Sequence, residues 1–231
     1  MTHLNQVRIK AVSTALGTLK ESVVFVGGAT VALYADQPVV ADIRPTDDVD
    51  VVIELATYKD FGDLDAQLRS IGFQNDMESN VICRYKIQGI RVDVMPTASE
   101  VLGFSNRWYE AGFKNAIDHE LSSNFYVKIF DAAYFIASKL EAFHQRGGKD
   151  FRTSTDFEDI VFVLANCSSV FQIASNAEES LKSYLQAEFR NLLAHPAIEE
   201  GIYAHIEPRF AAYRSNKILE QMRKFANTTE Q

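Results

Sequence analysis

The stretch Thr46-Asp47-Asp48-Val49-Asp50-Val51-Val52-Ile53-Glu54 runs from an acidic turn directly into apolar, mostly β-branched residues. This composition predicts a β-strand over Val49–Glu54, entered through the acids. Residues i and i+2 of a strand point to the same face, so Asp48 and Asp50 project together. Two carboxylates held that close oppose each other's ionisation, and a hard cation such as Mg²⁺ removes that cost. An acidic, solvated entrance to the strand is the alternative interpretation.

The composition of the chain is that of a globular protein. Its 231 residues are 47% hydrophobic and 23% charged, enough for one large or two modest domains. The formal net charge of −8 argues against a surface that attracts nucleic acid as a whole, but it allows a local basic groove. Cys83 and Cys167 lack metal-ligand spacing, which favours free thiols in a reducing compartment.

The sequence shows no pattern expected of export or membrane insertion. The N-terminus lacks the apolar core of a signal peptide, and no apolar run is long enough to cross a bilayer. We therefore expect a cytoplasmic protein without membrane contacts.

A glycine pair lies upstream of the acids. Val23–Val26 predicts a buried strand, Gly27 and Gly28 follow it, and Ala29–Tyr34 is helix-like. Glycine lets the backbone approach a ligand closely, and a helix N-terminus offers N–H groups to phosphates. An ordinary tight turn between strand and helix is the alternative.

Two polar residues precede the acidic strand, after a loop predicted over Asp36–Pro45. Arg44 can meet a triphosphate or pair with Asp42 or Asp47. Thr46 can cap the turn or contact a ligand.

A third acid lies in a predicted β-hairpin. Val81–Ile87 and Ile90–Met95 are strand-like and are separated by Gln88-Gly89. Asp93 stands in the middle of the second strand, where an acid is rare unless it is paired or binds a metal. If this strand lies beside that of Asp48 and Asp50, three carboxylates converge, and a metal site becomes the favoured interpretation.

The second half of the chain is predicted to be helical. From Asp131 the pattern becomes helical, and Ala132–Phe143 is apolar almost all round, which indicates a buried helix. Lys139 in that helix needs a partner, either an acid or a phosphate. A basic, flexible turn follows over Arg146–Asp150.

Ser154 or Thr155 is expected to cap the next helix. That helix carries Asp156 and Asp159, whose place near its N-terminus also has a structural explanation in the helix dipole.

Further elements follow from periodicity. Helices are predicted over Leu4–Leu19 and Tyr58–Ile71, a strand over Phe125–Phe130, and about three amphipathic helices after Val170, the last over Arg209–Phe225. The region of Trp108, Phe104–Ala116, shows no role beyond packing.

Several of these motifs together resemble a known family. Val26-Gly27-Gly28-Ala29-Thr30, Arg44–Asp50 and Val92-Asp93-Val94 are similar to the nucleotidyltransferase superfamily with the polymerase-β-like fold. Lys139–Ala142, Arg146-Gly147 and Asp156–Asp159 resemble its AbiEii/AbiGii type, which includes toxins of type IV toxin–antitoxin and phage-defence systems. The resemblance covers about Val23 to Leu164.

The resemblance implies an α+β fold in two parts. The first, residues 1–130, is a nucleotidyltransferase core with a mixed β-sheet flanked by helices. The second, residues 131–231, is a helical C-terminal domain that packs on the core.

The resemblance also implies a reaction, the Mg²⁺-dependent transfer of a nucleoside monophosphate from an NTP to a hydroxyl. Asp48 and Asp50 would hold two Mg²⁺ ions, and Asp93 would ligate the second or take the acceptor's proton. The implied acceptor is RNA such as tRNA, or protein, and a toxin member would have a cognate antitoxin. Gly27, Gly28 and Thr30 would surround the phosphates. Lys139 would contact the phosphates, with Asp156 as the acid opposite it and Asp159 as the weaker candidate for that acid. Further phosphate contacts would come from Arg44, Thr46 and Arg146.

Three alternatives accompany this interpretation. The chain can modify a small molecule such as an antibiotic, or it can be a non-catalytic binding protein with the same fold. Arg190 and His195 also have the arginine–four residues–histidine spacing of HEPN ribonucleases. Pro196 follows at once and His195 lies at an expected helix end, so we attribute that spacing to chance.

Overall fold

A mixed β-sheet occupies the first half of the chain in the computed structural model, which describes residues 3–37, 43–103, 106–148 and 150–228. Within that described part, seven strands follow the order β3-β4-β5-β2-β1-β7-β6. The strands are β1 Val23–Val26, β2 Asp48–Ile53, β3 Gln74–Asn75, β4 Arg84–Ile87, β5 Ile90–Pro96, β6 Ile117–Ser122 and β7 Phe125–Ile129. The central strand β2 runs parallel to β5 and antiparallel to β1.

The helices accompany the sheet in sequence and then dominate the second half of the chain. The first four are α1 Leu4–Leu16, α2 Tyr58–Ser70, α3 Ser99–Leu102 and α4 Tyr109–Lys114, with 3₁₀ helices over Gly17–Ser22 and Gly28–Tyr34. The later ones are α5 Ala132–Gln145, α6 Thr155–Asn166, α7 Val170–Asn176, α8 Glu179–Ala194, α9 Ile198–Ala204 and α10 Pro208–Ala226.

Contacts between Cα atoms divide the described residues into two units. The first contains those of Met1–Leu33 and Ile43–Asp131, and therefore the whole sheet with α1 to α4. The second contains those of Tyr34–Asp42 and Ala132–Gln231, with α5 to α10.

The core of the first unit is built on β2. Val49, Val51 and Val52 are fully buried, as expected for a central strand rich in β-branched residues. The following helix α2 begins at a capping box, in which the Thr57 hydroxyl accepts from the Asp60 N–H and the Asp60 carboxylate accepts from the Thr57 N–H.

A two-residue turn sets the register of the β4–β5 hairpin. Gln88 and Gly89 both have positive φ, at 50° and 77°, which is the backbone conformation of the turns that match strand twist. The turn pairs Ile87 with Ile90, and the register then places Arg84 opposite Asp93.

Aromatic side chains make up much of the second unit's core. Phe151 packs on Phe143 and Phe157 with ring centroids 5.3 and 4.9 Å apart. A second group joins Phe171, Phe189 and Phe225 at centroid distances of 5.7 to 6.0 Å.

The structure corrects several boundaries expected from the sequence. The first helix ends at Leu16, because Gly17 takes a φ of 58° that stops the helix before Leu19. The segment expected to be helix-like from Ala29 is a 3₁₀ helix, and β4 begins at Arg84 rather than Val81 because the Arg84 N–H closes a turn onto the Val81 carbonyl.

Other elements were missing from the sequence prediction. Among them are β3, β6, α3 and α4, all too short or too polar to show a clear period. In the described residues from Val170 onwards there are four helices, α7 to α10, where about three were expected. Of the loop predicted over Asp36–Pro45, residues 38–42 lie outside the described residues.

At the coarse level the expected fold class is confirmed, since a mixed sheet and many helices are present. In the part of the chain that is described, no single helix combines the length and apolar character needed to cross a membrane. The bent pair α6 and α7, at an angle of 99°, meets those two criteria jointly, and nearly all the apolar side chains of α6 are buried in the protein.

Two helical glycines of the first unit provide a test of its packing. A methyl group on Gly112 in α4 would lie 2.8 Å from the buried Phe130 ring, whereas one on Gly62 in α2 would meet no atom within 4 Å. We expect Gly112→Ala to lower the free energy of unfolding by about 1–3 kcal/mol through overpacking. Gly62→Ala should raise it by up to about 1 kcal/mol, because alanine favours the helix. Urea denaturation measures both, and a neutral Gly112→Ala would contradict this packing.

Candidate metal centre

Three carboxylates of the first unit converge on neighbouring parallel strands. β2 and β5 pair so that Asp50 is directly opposite Asp93. Asp48 projects from the same face of β2 as Asp50. One oxygen of each carboxylate lies within 4.8 Å of the others. Asp93 is buried and the other two are partly exposed, so the cluster is open to solvent on one side. Carboxylate oxygens are the ligands that Mg²⁺ and Ca²⁺ prefer, and this donor set fits such an ion.

Arg84 supplies the positive charge at this cluster. Its Nε donates to Asp93 Oδ1 and its Nη2 to Asp93 Oδ2, both at 2.7 Å. Nη2 also lies 3.7 Å from Asp48 Oδ2. Hydrogen bonding to Asp93, together with attraction to Asp48 and Asp50, holds the pKa of the Arg84 guanidinium above its ordinary value. The arginine therefore offsets part of the mutual repulsion of the acids.

The arginine and a metal ion would share Asp93. A carboxylate offers about four lone-pair positions, and the bidentate pair with Arg84 uses one on each oxygen. Asp93 therefore retains acceptor capacity for a cation, but that cation would be placed beside a permanent positive charge. Arg84 would therefore hold the Asp93 carboxylate in position and at the same time repel a bound cation.

Gly27 is required by the approach of Asp50. Val26 pairs with Asp50 in the register of β1 and β2, which brings Gly27 next to the carboxylate. A Cβ at position 27 would lie only 1.9 Å from Asp50 Oδ2, and the φ of Gly27 is +73°. Both the space and the backbone conformation exclude other residues. The sequence suggested that this glycine lets the backbone approach a ligand. The structure shows that it also makes room for the Asp50 carboxylate.

Thr30 fastens the turn that follows β1. Its hydroxyl donates to the Gly27 carbonyl at 2.9 Å, its N–H approaches the same oxygen at 3.2 Å, and the residue is fully buried. Gly28 is also buried at the start of the 3₁₀ helix. The turn is thus rigid on the side that faces the core.

The segment before β2 is fixed by the first helix. The buried side chain of Asn5 accepts from the Thr46 N–H at 3.0 Å and donates to the Arg44 carbonyl at 3.2 Å. The Thr46 hydroxyl donates to the Asp48 carbonyl at 3.0 Å. The turn-capping alternative for Thr46 is therefore present. Asp47 remains largely exposed to solvent and lies 3.4 Å from the Arg91 guanidinium.

Cys83 lies next to the acids as a neutral group. Burial, reinforced by the negative charge of Asp93 and Asp50, raises the pKa of its thiol to about 12. A thiol that stays protonated at physiological pH is a poor nucleophile. Cys83 and Cys167 are both free and buried.

A separate group of charged side chains lies in the second unit. Lys139 of α5 contacts Asp156 Oδ1 at 3.1 Å and Asp159 Oδ2 at 2.6 Å, and all three residues are buried. Arg146 donates to the other oxygen of Asp156. Lys139 thus pairs with acids, which was the structural alternative for this residue. Its contact with Asp159 is at least as close as its contact with Asp156. Ser154 caps α6, as one of the two candidates for that position.

Arg190 and His195 do not form a paired site. Helix α8 ends at Ala194, and His195 packs its ring on Phe151 with centroids 4.8 Å apart. The Arg190 guanidinium donates to the Ala226 carbonyl at 2.6 Å. Each side chain has its own structural role, which agrees with a chance spacing.

Sequence reasoning missed Arg84 as part of the site. The signal was present in the hairpin, because a two-residue turn at Gln88-Gly89 places residue 84 opposite residue 93. Counting the register back from the turn would have paired the arginine with the acid.

Comparison with known proteins adds no identification. No protein-family model matches the chain, and no curated protein gives a match.

The close contact between Gly27 and Asp50 predicts a selective effect on metal binding. We expect Gly27→Ala to displace the Asp50 carboxylate and to weaken Mg²⁺ or Mn²⁺ binding by at least about tenfold, measured by isothermal titration calorimetry. Gly103→Ala is the matched control, because Gly103 also has a positive φ, 76°, but its Cβ would meet no atom within 4 Å. It should lose about 1–2 kcal/mol of stability and retain metal binding. Equal affinities in both variants would refute the role of Gly27.

Arg84→Ala tests the balance of charge at the cluster. Without the guanidinium the metal-free protein should be less stable by about 2 kcal/mol, since buried Asp93 loses its partner. Mg²⁺ should bind about tenfold more tightly, because a neighbouring positive charge has been removed.

The control is Arg91→Ala, which removes a half-exposed arginine of β5 that stands opposite Asp48 in the strand register but forms its ion pair with the exposed Asp47. It should change both quantities much less than Arg84→Ala does. Weaker metal binding in Arg84→Ala would show instead that the arginine is needed to position Asp93.

Proposed function

We propose that the chain is a Mg²⁺-dependent nucleotidyltransferase that transfers a nucleoside monophosphate from an NTP to a hydroxyl acceptor. The observation that carries the proposal is the convergence of Asp48, Asp50 and Asp93 from neighbouring parallel strands. Bound Mg²⁺, as one or two ions, would neutralise the triphosphate and stabilise the attacking and leaving oxygens.

Each acid has a role that its surroundings support. Asp48 and Asp50 are partly exposed and project from one face of β2, so they suit ligands reached from solvent. Both oxygens of Asp93 already accept hydrogen bonds from Arg84, so Asp93 fits a ligand better than a proton acceptor. Arg84 is then a positioning residue, which fixes the carboxylate plane of Asp93.

The nucleotide contacts are proposed on the resemblance alone. They include Lys139, Asp156 and Arg146, which in the second unit form an ion-paired group that also has a structural explanation. They also include Gly27, Gly28, Thr30, Arg44 and Thr46, of which Thr30 and Thr46 use their hydroxyls in local turns. The role of toxin with a cognate antitoxin is likewise proposed from the resemblance.

Transfer assays test the proposal directly. The purified protein is incubated with each α-³²P-labelled NTP and Mg²⁺, with total RNA, protein extract or small hydroxyl compounds such as aminoglycosides as acceptor. We expect label in one acceptor class and its loss in Asp48→Asn/Asp50→Asn or with EDTA. Asp47→Asn is the control, because it removes a carboxylate charge from an exposed neighbour in the same stretch that does not belong to the triad.

Two results would contradict the proposal. One is the absence of transfer with every NTP and acceptor together with no Mg²⁺-dependent nucleotide binding. The other is full activity of Asp48→Asn/Asp50→Asn. Label only in the small compounds would favour the antibiotic-type alternative.

A further inference from the structure

The exposed face of α10 carries a row of aromatic and cationic side chains that the proposed reaction does not use. Phe210, Tyr213, Arg214 and Lys217 follow one another at spacings of three, one and three residues, which places them on one side of the helix. At about 1.5 Å per residue the row is about 10 Å long. We propose that this face binds a single-stranded polynucleotide.

Charge singles out this helix within an acidic protein. The chain has a formal net charge of −8, whereas α10 contains five arginines and lysines and one acid, Glu220. Phosphate groups would be repelled by most of the surface and attracted here. In this acidic background the helix forms a local basic surface.

Both aromatic side chains of the row are exposed to solvent. Tyr213 is 74% exposed and Phe210 is 43% exposed, although each would stabilise the fold by being buried. The guanidinium groups of Arg209 and Arg214 lie 4.8 and 5.5 Å from the Phe210 ring centroid. Such contacts hold the arginine planes in place. Glu207 pairs with Arg209, so Arg214 is the better placed of these two arginines to donate to phosphate oxygens. Bases of a single strand stack on aromatic rings of this kind.

A polar cavity of about 330 Å³ opens beside the row. It is lined by Tyr213, Arg214 and Lys217 on one side and by Asn166 and Ser168 on the other. Arg214 Nη1 lies 3.5 Å from Asn166 Oδ1, and Lys217 makes no ion pair with any other described residue. Asp36 also lines the cavity, where its carboxylate accepts a hydrogen bond from the Ser168 N–H. The cavity therefore offers two cations against one acid, with two polar side chains, beside an exposed aromatic ring.

Two other cations of α10 lie away from the exposed aromatic rings and allow a comparison. Arg223 contacts Glu199 and Lys224 contacts Glu220, so acids offset these two charges locally. An acidic protein partner would be drawn to all five cations alike. A polynucleotide would depend on the part of the helix where cations and exposed aromatic rings coincide, and we favour it for that reason.

The inference gives the proposed transferase an acceptor class, a polynucleotide hydroxyl, and to that extent rests on the proposed function. Binding itself needs neither NTP nor metal. A failure of binding would leave transfer to another acceptor intact, and a failure of transfer would leave the binding surface intact.

Fluorescence anisotropy tests the proposal with the full-length protein and fluorescein-labelled 20-mers of single-stranded RNA, single-stranded DNA and duplex RNA, without nucleotide. We expect both single strands to bind more tightly than the duplex, whose stacked bases cannot reach Tyr213. Affinity should fall as salt rises. Comparison of the two single strands shows whether RNA or DNA is preferred.

Variants locate the binding surface. Arg214→Ala/Lys217→Ala should weaken binding at least tenfold, and Tyr213→Ala about fivefold or more through lost stacking. Arg223→Ala/Lys224→Ala removes the same charge from the same helix and should weaken binding less than threefold. Tyr203→Ala, which removes a 48% exposed tyrosine from α9, should have no effect.

Three outcomes would overturn the proposal. They are absence of binding at low salt, equal losses in the two double variants, and displacement of the RNA by polyglutamate at equal charge. The last would identify the face as a site for acidic proteins. Circular dichroism of each variant excludes unfolding as the cause, and the substituted side chains lie at least partly on the surface.

Discussion

The mutual repulsion of three carboxylates is the constraint on which the candidate site depends. Asp48, Asp50 and Asp93 are placed by strand pairing, which leaves them no freedom to separate. Arg84 meets this constraint with a bidentate pair on Asp93 and a longer contact to Asp48. A cluster that is only partly compensated attracts a further cation, and a fully neutralised one would not. The single arginine thus offsets only part of the negative charge, and the three acids could still hold a metal ion.

Strand geometry explains why much of the site could be predicted from sequence. The i, i+2 spacing of Asp48 and Asp50 and the apolar residues around Asp93 depend only on local chain geometry. Whether β5 lies beside β2 depends on a long-range pairing that no local pattern contains. The approach of Gly27 to Asp50 is likewise a result of the antiparallel register of β1 and β2. Local patterns identified the acids, and tertiary structure supplied their partners.

The errors in the fold prediction have a similar origin. Polar, half-exposed residues of β6 give no clear alternation, and the strand is held by pairing with β7 rather than by its own composition. The 3₁₀ geometry over Gly28–Tyr34 depends on the turn that Thr30 fastens to Gly27. Lys139 was the most ambiguous residue, since a lysine in an apolar helix calls equally for an acid or a phosphate. Two acids of α6 occupy that role in the second unit.

Arg84 should also influence how tightly the site binds a metal ion. Asp93 accepts two charge-assisted hydrogen bonds from Arg84, which fix its carboxylate in one orientation. A divalent ion would enter against the arginine's charge, so its affinity is lowered while its position is defined in advance. In the proposed transferase, a triphosphate would bring negative charge of its own, which would offset the arginine and favour the metal. Metal and nucleotide should therefore bind cooperatively, and an isolated ion should bind weakly.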